Sequence, residues 1–373
     1  MKIGYYAHSA FCNARGLGNY SRTLINAMRS QHPDNEYTLF TPNTNDYELY
    51  ANYSDLEIVD PEGMLSMLDN FWKKQISQHI AHNKIDIFNG LANELPTLRD
   101  SKCKSIVTIH DLAFMKEKGG SGVVDKFLNS KKISEACENA DHIIAVSNQT
   151  KEDLINLLKV PAHKISVIYQ AVTTIHRNAE EMNVYGSKVR ELELPKEYLL
   201  YVGSIEPHKN IKAILRAIKQ TEEKHHLVIA GRKSAHTKSI IELADNLNIT
   251  NRVHILHDLD NESIVGLYKN CTMVILPSFH EGFGLPIVEA QCHNAPVITS
   301  EGGCFEEAGG DAAIYINPHN PERLTEAINR LYSDSELRSE LVRKGEENIK
   351  RFDSKARTIQ VFDLYKSLLP ASQ

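Results

Sequence analysis

The chain has 373 residues, of which 42% are hydrophobic and 24% are charged, a balance typical of globular proteins with enough chain for two domains. Its formal net charge of −6 argues against a nucleic-acid partner. No apolar run approaches the roughly 18 residues that a membrane-spanning helix needs. The segment from Met1 to Ala7 reads as a first strand and not as a signal peptide. These features predict a cytoplasmic protein, with peripheral contact at the inner membrane face left open.

Neither the cysteines nor the histidines are spaced like metal ligands or a disulfide framework. The cysteines lie at positions 12, 103, 137, 271, 292 and 304, with no C-x-x-C pair, so we expect buried free thiols in a reducing compartment. There are 17 histidines but no H-E-x-x-H motif. We expect His225, His226, His254 and His257 to be surface or strand-end residues.

Strand-like and helix-like segments alternate along the chain, which predicts an α/β protein with parallel sheets and crossover helices. The first strand, Lys2 to Ala7, leads into a loop with Gly16 and Gly18 and then a helix. Ligands bind at the loop after the first strand of a doubly wound sheet. The two glycines therefore either lie near a ligand or form a plain tight turn. A dinucleotide fingerprint is not met, because Ser21 stands where its third glycine belongs.

His110 is the candidate site residue of the first half of the chain. The strands predicted there are Tyr37–Thr41, Leu56–Asp60, Ile85–Phe88, Ser105–Ile109, His142–Val146 and Ile165–Ile168. A histidine at the carboxyl tip of a parallel strand lies at the ligand edge of the sheet. The alternative is a ring that only bonds a neighbouring loop. Trp72 is expected to pack within a helix, although an exposed position could touch an acceptor or a membrane.

Residues 173–195 are polar and read as a connector, after which the strand Glu197–Gly203 opens a second domain. Its tip carries Ser204, His208 and Lys209, just before a helix. A lysine on such a loop is well placed to meet a phosphate. The alternative for His208 and Lys209 is a solvated helix start.

Two further strand tips carry polar side chains. Arg232 follows the strand Leu227–Ala230 and either meets a ligand or is simply solvated. The strand Val253–Leu256 is followed by Asp258-Leu259-Asp260, a spacing that holds divalent metals in some enzymes. A helix begins directly afterwards, so we expect Asp258 or Asp260 to cap it instead.

The stretch 275–298 combines a buried strand, a glycine-containing loop, a short helix and another strand. The glycines of the loop allow close backbone approach to a ligand, and Pro286 suits the first turn of a helix. The N-terminus of that helix favours an anion such as a phosphate. Glu281 and Glu289 flank this turn and can contact one ligand. The alternative is a loop and cap that merely pack.

The sequence EGFGLPIVE from Glu281 to Glu289 resembles the signature of retaining glycosyltransferases of family 4, and the resemblance covers essentially the whole chain. It implies the GT-B fold, in which two doubly wound, Rossmann-like domains face a cleft. The domains would be residues 1–175 and 176–353, with a C-terminal helix, 354–373, that crosses back to the first domain. It also implies a nucleotide diphosphate sugar as donor, a saccharide acceptor, no cofactor and no metal.

The resemblance assigns roles to the residues that match its motifs. Glu281 would contact the donor sugar and Glu289 the ribose, while Lys209 would bind the pyrophosphate. The remaining donor-side positions are Gly16, Gly18, Gly203, Ser204, Arg232, Leu259 and the loop amides of Gly282, Phe283, Gly284 and Leu285. His110 would lie beside the donor sugar and the acceptor hydroxyl.

The chain departs from the family pattern at three places. His208 replaces an arginine and is a poorer phosphate partner, so donor binding is expected to be weaker or pH-dependent. Tyr169-Gln170 replaces an Asn-Gly turn, with an expected effect on the connector alone. Glu306 replaces the proline of a family turn, in which Glu307 is expected to tie down loops.

The expected activity is transfer of a hexosyl group, with retention of anomeric configuration, in polysaccharide assembly. The segments 89–96 and 110–112 resemble mannosyltransferases, so GDP-mannose is the leading donor, with UDP- and ADP-linked sugars as alternatives. A lipid-linked acceptor would require peripheral membrane contact. The rival interpretations are a nucleotide-sugar-binding pseudoenzyme or regulatory protein of the same fold, a dehydrogenase and a GT-B phosphorylase.

Overall fold

A computed structural model describes the chain except residues 14–15, 43–52, 62–68, 97, 99–101, 117–122, 173–188, 190, 223–224 and 371–373. The chain divides into two compact units. Unit 1 comprises Met1–Thr173 and Asp353–Gln373, and unit 2 comprises Thr174–Phe352. Most of the predicted connector lies outside the described residues.

Unit 1 contains a seven-stranded parallel sheet with the order β3-β2-β1-β4-β5-β6-β7. Its strands are β1 (Lys2–Tyr6), β2 (Glu36–Phe40), β3 (Glu57–Val59), β4 (Ile87–Gly90), β5 (Lys104–Ile109), β6 (His142–Ala145) and β7 (Ile165–Val167). Its helices are α1 (His8–Cys12), α2 (Leu17–Gln31), α3 (Asp69–Asn83), α4 (Ala113–Lys116), α5 (Val123–Asn139), α6 (Asn148–Leu158) and, from the chain's C-terminal end, Ser354–Leu368.

Two apolar clusters form the core of unit 1. Trp72 lies in one of them, as predicted, and is buried against the side chains of the sheet. The C-terminal helix Ser354–Leu368 belongs to the other through Val361 and Tyr365, and it packs on α2. Ile359, on the same helix, is 41% exposed and lies outside this cluster.

Unit 2 contains a six-stranded parallel sheet with the order β10-β9-β8-β11-β12-β13. Its strands are β8 (Tyr198–Val202), β9 (His226–Ala230), β10 (Val253–Leu256), β11 (Met273–Leu276), β12 (Val297–Ser300) and β13 (Ala313–Ile316). Its helices are α7 (Ile211–Gln220), α8 (Thr237–Asn246), α9 (Asn261–Asn270), α10 (Leu285–Cys292), α11 (Gly303–Gly309), α12 (Pro321–Ser333) and α13 (Ser335–Asn348). The C-terminal helix of unit 1 is α14.

Each sheet has one point at which the strand order changes direction. In unit 1 it lies between β1 and β4, and in unit 2 between β8 and β11. Loops leaving the carboxyl ends of the two strands diverge there and leave a crevice, which is where open α/β sheets bind ligands. The predicted fold class, with two Rossmann-like sheets and a C-terminal helix that returns to the first, is confirmed. No helix in the described part of the chain is long and apolar enough to cross a membrane.

Candidate donor site

The predicted donor-side residues of unit 2 lie along one edge of its sheet. Lys209 follows β8, Arg232 follows β9, Leu259 follows β10 and Glu281 follows β11. Because all the strands are parallel, these loops emerge at the same carboxyl edge. Lys209 and Glu281 come from the two strands that flank the switch point, so they stand on opposite sides of the crevice.

Lys209 and Glu281 form a two-pronged ion pair. The Lys209 Nζ atom lies 2.6 Å from both Oε1 and Oε2 of Glu281. The side chains are only 17% and 20% exposed, so water screens the attraction weakly. The chain separates these residues by 72 positions, and the crossover between β8 and β11 is what brings them together.

Ser278 and Ser300 hold the carboxylate of Glu281 in place. The Ser278 hydroxyl donates to Glu281 Oε1 at 2.8 Å, and the Ser300 hydroxyl donates to the Ser278 carbonyl at 2.6 Å. Burial by itself would raise the pKa of Glu281, but the Lys209 ammonium and the Ser278 hydroxyl outweigh it and lower that pKa. Glu281 is therefore an anion at neutral pH.

The loop after Glu281 turns directly into α10. Gly284 is the N-cap of the helix with φ of +93°, a left-handed conformation that glycine adopts without steric cost. Leu285 and Pro286 form the first turn, as the sequence predicts. Phe283 points away from the loop, since it is buried with its ring 5.4 Å from that of Phe352. It anchors the loop and leaves the backbone as the part that can meet a ligand.

Glu289 lies in α10, one turn beyond the loop. The hydroxyl of Tyr268 donates to Glu289 Oε2 at 2.9 Å, and the Tyr268 ring stacks on His293. Tyr268 is fully buried, so it fixes one oxygen of the carboxylate from inside the protein. The sequence interpretation gave Tyr268 no role and missed this hydrogen bond.

The loop after β8 is tied to the loop after β11. The backbone N–H of Phe279 donates to the carbonyl of His208 at 2.7 Å. Asn210, which starts α7 with φ of +56°, donates its side-chain amide to the carbonyl of Pro318 at 2.9 Å. His208 and Lys209 therefore sit on a braced turn, with the imidazole beside the lysine where the family carries an arginine.

The other donor-side candidates occupy neighbouring strand tips. Gly203 donates its backbone N–H to the carbonyl of Ala230 at 3.1 Å, and the carbonyl of Ser204 accepts the Tyr201 hydroxyl at 2.7 Å. Arg232 is exposed on the loop after β9. Leu259 lies just before Asp260, which caps α9 by accepting the backbone N–H of Ser263, as predicted for this pair of aspartates.

The two glycines of unit 1 have structural explanations. Gly16 has φ of +44° and precedes α2. A Cβ atom on Gly18 would lie only 1.6 Å from the carbonyl oxygen of Asn13, so the helix can approach the end of α1 only with glycine there. These facts fit the tight-turn interpretation. They leave ligand proximity as a prediction, since the loop also follows β1 at the switch point.

His110 lies immediately after β5, and both of its ring nitrogens are engaged. Nε2 lies 2.9 Å from the carbonyl oxygen of Leu91, and Nδ1 lies 2.6 Å from the side-chain nitrogen of Gln170. The ring is 4% exposed and stands edge-on to Tyr20. Burial lowers the pKa of His110 to about 4, although the Leu91 carbonyl opposes the shift. The ring thus bonds neighbouring loops, and its contact with a donor sugar or an acceptor stays a prediction.

This geometry fixes the tautomer of His110. A carbonyl oxygen only accepts, so Nε2 carries the hydrogen and donates to Leu91. Nδ1 then accepts from the amide of Gln170. Gln170 belongs to the stretch that replaces the family's Asn-Gly turn, and its expected effect on the connector alone is wrong. Gln170 holds the ring of His110, a contact that the sequence interpretation missed.

The remaining histidines and cysteines match the predictions in part. His226 and His254 pair at 3.1 Å near the starts of β9 and β10, whereas His225 is buried against Tyr332 and does not lie on the surface. Among the described residues no group of three or more His, Cys, Asp or Glu could hold a metal ion. The absence of a required metal or cofactor stays a prediction. None of the six cysteines, all within the described chain, forms a disulfide bond, and Cys12 is exposed.

Solved structures share this architecture over nearly the whole chain. Sucrose-phosphate synthase from Thermosynechococcus elongatus superposes with a TM-score of 0.79 at 20% identity, covering 100% of both chains. HepE from Anabaena, solved in complex with UDP and glucose, gives a TM-score of 0.78 at 17% identity, covering 98% of this chain and 100% of that one. At these identities the similarity defines the fold, and that fold is GT-B.

Two family profiles match the chain in succession. The profile described as Glycosyltransferase Family 4 matches residues 14–175, and the profile described as Glycosyl transferases group 1 matches residues 187–348. With both halves matched in this order, the chain belongs to glycosyltransferase family 4.

Relatives of known name are similar over part of their length. O-antigen chain mannosyltransferase RfbU from Salmonella typhimurium is 27% identical over 239 residues, which are 64% of this chain and 62% of that protein. O-antigen chain mannosyltransferase B from Escherichia coli is 27% identical over 244 residues, 64% of each chain. The matched stretch thus spans slightly less than two thirds of these relatives.

Proposed function

We propose that the protein is a retaining glycosyltransferase that moves a mannosyl group from GDP-mannose to a glycan or a lipid-linked saccharide during polysaccharide biosynthesis. Family membership supports glycosyl transfer. The names of the O-antigen mannosyltransferases support mannose and a polysaccharide acceptor. A lipid-linked acceptor would bring the protein to the membrane surface.

The observation that carries the proposal is the arrangement around the switch point of unit 2. A lysine and a carboxylate face one another across the crevice, 2.6 Å apart, and the loop beyond the carboxylate presents the N-terminus of α10. A diphosphate needs a cation and backbone N–H donors, and a sugar needs a hydrogen-bond acceptor for its hydroxyls. Lys209, the N-terminus of α10 and the carboxylate of Glu281 supply these groups at one edge of the sheet.

The difficult step is departure of the nucleoside diphosphate from the anomeric carbon. Negative charge develops on the phosphate oxygens as this bond breaks, and fixed donors that are already in place stabilise it. Lys209 and the backbone N–H groups of residues 282–285 are those donors in our proposal. Their charge and the α10 dipole act without a metal ion.

The two glutamates hold different parts of the donor. Glu281 accepts hydrogen bonds from sugar hydroxyls and stabilises positive charge at the anomeric carbon. Glu289 accepts from the ribose, with one oxygen already held by Tyr268. We propose that the acceptor binds unit 1 at the carboxyl edge near β1 and β4. His110, buried and neutral after the neighbouring strand β5, holds the loops of Leu91 and Gln170 at this edge and does not transfer a proton.

A nucleotide-binding screen tests the donor. GDP, UDP and ADP are compared by thermal shift with the intact chain. A ligand present at about 100 times its Kd stabilises the folded state by about 2.7 kcal/mol, which corresponds to roughly 5 °C or more in Tm. We expect GDP to produce this shift and UDP and ADP to produce less than half of it.

The matched variants are Lys209→Ala, in the site, and Lys212→Ala, an exposed lysine one turn further on in α7. Lys209→Ala should abolish the GDP shift, whereas Lys212→Ala should retain it. A larger shift with UDP would overturn GDP-mannose as the donor. Binding of GDP without turnover of GDP-mannose, with any saccharide acceptor, would point instead to a nucleotide-sugar-binding protein that has lost catalysis.

A further inference from the structure

The carboxylate of Glu281 forms an ion pair with Lys209, the cation that binds the diphosphate in the proposed reaction. Both of its carboxylate oxygens lie 2.6 Å from Lys209 Nζ, so the carboxylate takes up two of the three donors of the ammonium. Ser278 contributes a third hydrogen bond and keeps the carboxylate turned toward the lysine. The protein thus places an anion of its own where a phosphate would otherwise sit.

A diphosphate that reaches Lys209 must meet this carboxylate. Two anions that share one ammonium repel each other strongly when water screens them weakly, as it does for these largely buried side chains. Binding therefore requires the carboxylate to move off Lys209, at a cost in the hydrogen bonds and charge contact it leaves behind. The outcome depends on whether the ligand offers the carboxylate new partners.

A nucleotide sugar and a bare nucleoside diphosphate differ in this respect. The sugar brings several hydroxyl donors beside the diphosphate, and these can replace Lys209 as partners of the displaced carboxylate. A nucleoside diphosphate brings only further negative charge to that place, because the hexose is missing. The same carboxylate thus opposes one ligand and holds the other.

We propose that Glu281 acts as an internal competitor for Lys209, and thereby makes the site prefer the nucleotide sugar over the nucleoside diphosphate. This inference rests on the proposed function, because it assigns a selective role to one residue of that site. It makes release of the spent nucleotide easier, since the carboxylate returns to Lys209 as the product leaves. Discrimination of this kind comes from a repulsive contact against the unwanted ligand.

Titration calorimetry with GDP, UDP and ADP tests the inference directly. The diphosphate that binds the intact chain best is then titrated into Glu281→Gln, which keeps the shape of the side chain and removes its charge. We expect the Kd of this diphosphate to fall on the order of tenfold, because a charge at this distance shifts ionic equilibria by that factor or more. Ser278→Ala, which loosens the hold on the carboxylate, should give a smaller change in the same direction.

Two carboxylate variants serve as controls. Glu289→Gln, which alters the other glutamate of the motif, should weaken binding of the diphosphate, since it loses the proposed ribose contact. Glu301→Gln removes the same charge from an exposed side chain just after β12 and should change the Kd less than twofold. In the Lys209→Ala background the gain from Glu281→Gln should disappear.

A second readout is the ratio of the Kd of the diphosphate to that of its nucleotide sugar. The ratio should fall in Glu281→Gln, because the variant binds the diphosphate more tightly and the sugar less well. If Glu281→Gln, folded as judged by circular dichroism, binds the diphosphate no more tightly than the intact chain, the inference is wrong and the proposed function stands. If no diphosphate binds the intact chain or any variant, the proposed function itself is wrong.

Discussion

His110 is the candidate residue whose protonation its hydrogen-bond partners restrict most. Its Nε2–H donates to Leu91 and its Nδ1 accepts from Gln170, so protonation would break the hydrogen bond to the amide. The sequence could indicate that His110 ends a strand at the ligand edge. It could not indicate that both ring nitrogens form hydrogen bonds, because Leu91 and Gln170 come from loops that only the folded sheet brings together.

The buried neutral ring predicts how stability depends on pH. The pKa of His110 is about 4 in the folded chain, below the value of about 6.5 for an unfolded chain. Below about pH 6.5 the unfolded chain binds the extra proton first, so stability falls as pH falls from about 6.5 to 4. Between pH 7 and pH 5 this amounts to about 2 kcal/mol.

Urea unfolding of His110→Gln at both pH values checks this prediction. The difference in the free energy of unfolding between pH 7 and pH 5 should be about 2 kcal/mol smaller than in the intact chain. His163→Gln, at an exposed histidine in the same unit, should leave that difference unchanged. An unchanged difference in His110→Gln would contradict the buried, neutral state of the ring.

Around the two glutamates, too, the sequence could predict some residues of the candidate site and not others. Lys209, Glu281 and Glu289 could be predicted because they match the motifs that carry the family resemblance. Ser278 and Tyr268 could not, since a serine after a strand and a tyrosine on a helix are common. Their roles come from distances of 2.8 Å and 2.9 Å to the two carboxylates, which the sequence does not contain.

At the scale of elements, periodicity and end signals predicted the long helices and buried strands, and missed the short ones. The turn predicted at Glu306 and Glu307 is wrong, because both residues lie in α11, which has only seven residues. So short a helix shows no apolar periodicity, and Gly309-Gly310 at its end resembles a turn. β13 and α8 also went unpredicted, although the cap of α9 was recognised.

The contact of α14 with the sheet of unit 1 includes one buried hydrogen bond. The side-chain amide of Asn89, in β4, donates to the hydroxyl of Tyr365 at 2.7 Å, and both residues are fully buried. Tyr365→Phe leaves that amide nitrogen without its acceptor. Since an unsatisfied buried polar group costs about 1–3 kcal/mol, we expect a loss of that size in the free energy of unfolding, measured with urea.

Tyr53→Phe is the matched control, because it removes a buried hydroxyl from the same apolar cluster. The Tyr53 hydroxyl makes no hydrogen bond to any described residue. Its removal should therefore be neutral or slightly stabilising. Equal losses in the two variants would show that the hydroxyl of Tyr365 contributes nothing beyond its volume.

At the scale of the whole molecule, each of the two parallel sheets has one strand-order reversal, and the candidate residues Lys209 and Glu281 follow the two strands that flank the reversal of unit 2. Alternation of strands and helices predicts parallel sheets, but it does not give the order of the strands within them. The order decides which loops become neighbours, and hence that the loop after β8 meets the loop after β11. The motif could therefore predict a class of ligand, while the ion pair across the switch point required the fold.

The central claim is that this switch point holds a nucleotide sugar for retaining transfer. The most direct measurement is incubation with GDP-mannose and a panel of oligosaccharide acceptors, followed by NMR of the anomeric centre in the product. We predict mannosyl transfer with the α-configuration of the donor retained, reduced about 100-fold or more in Lys209→Ala, which lacks the main cation at the leaving group. An inverted product, or transfer that Lys209→Ala leaves intact, would contradict the claim.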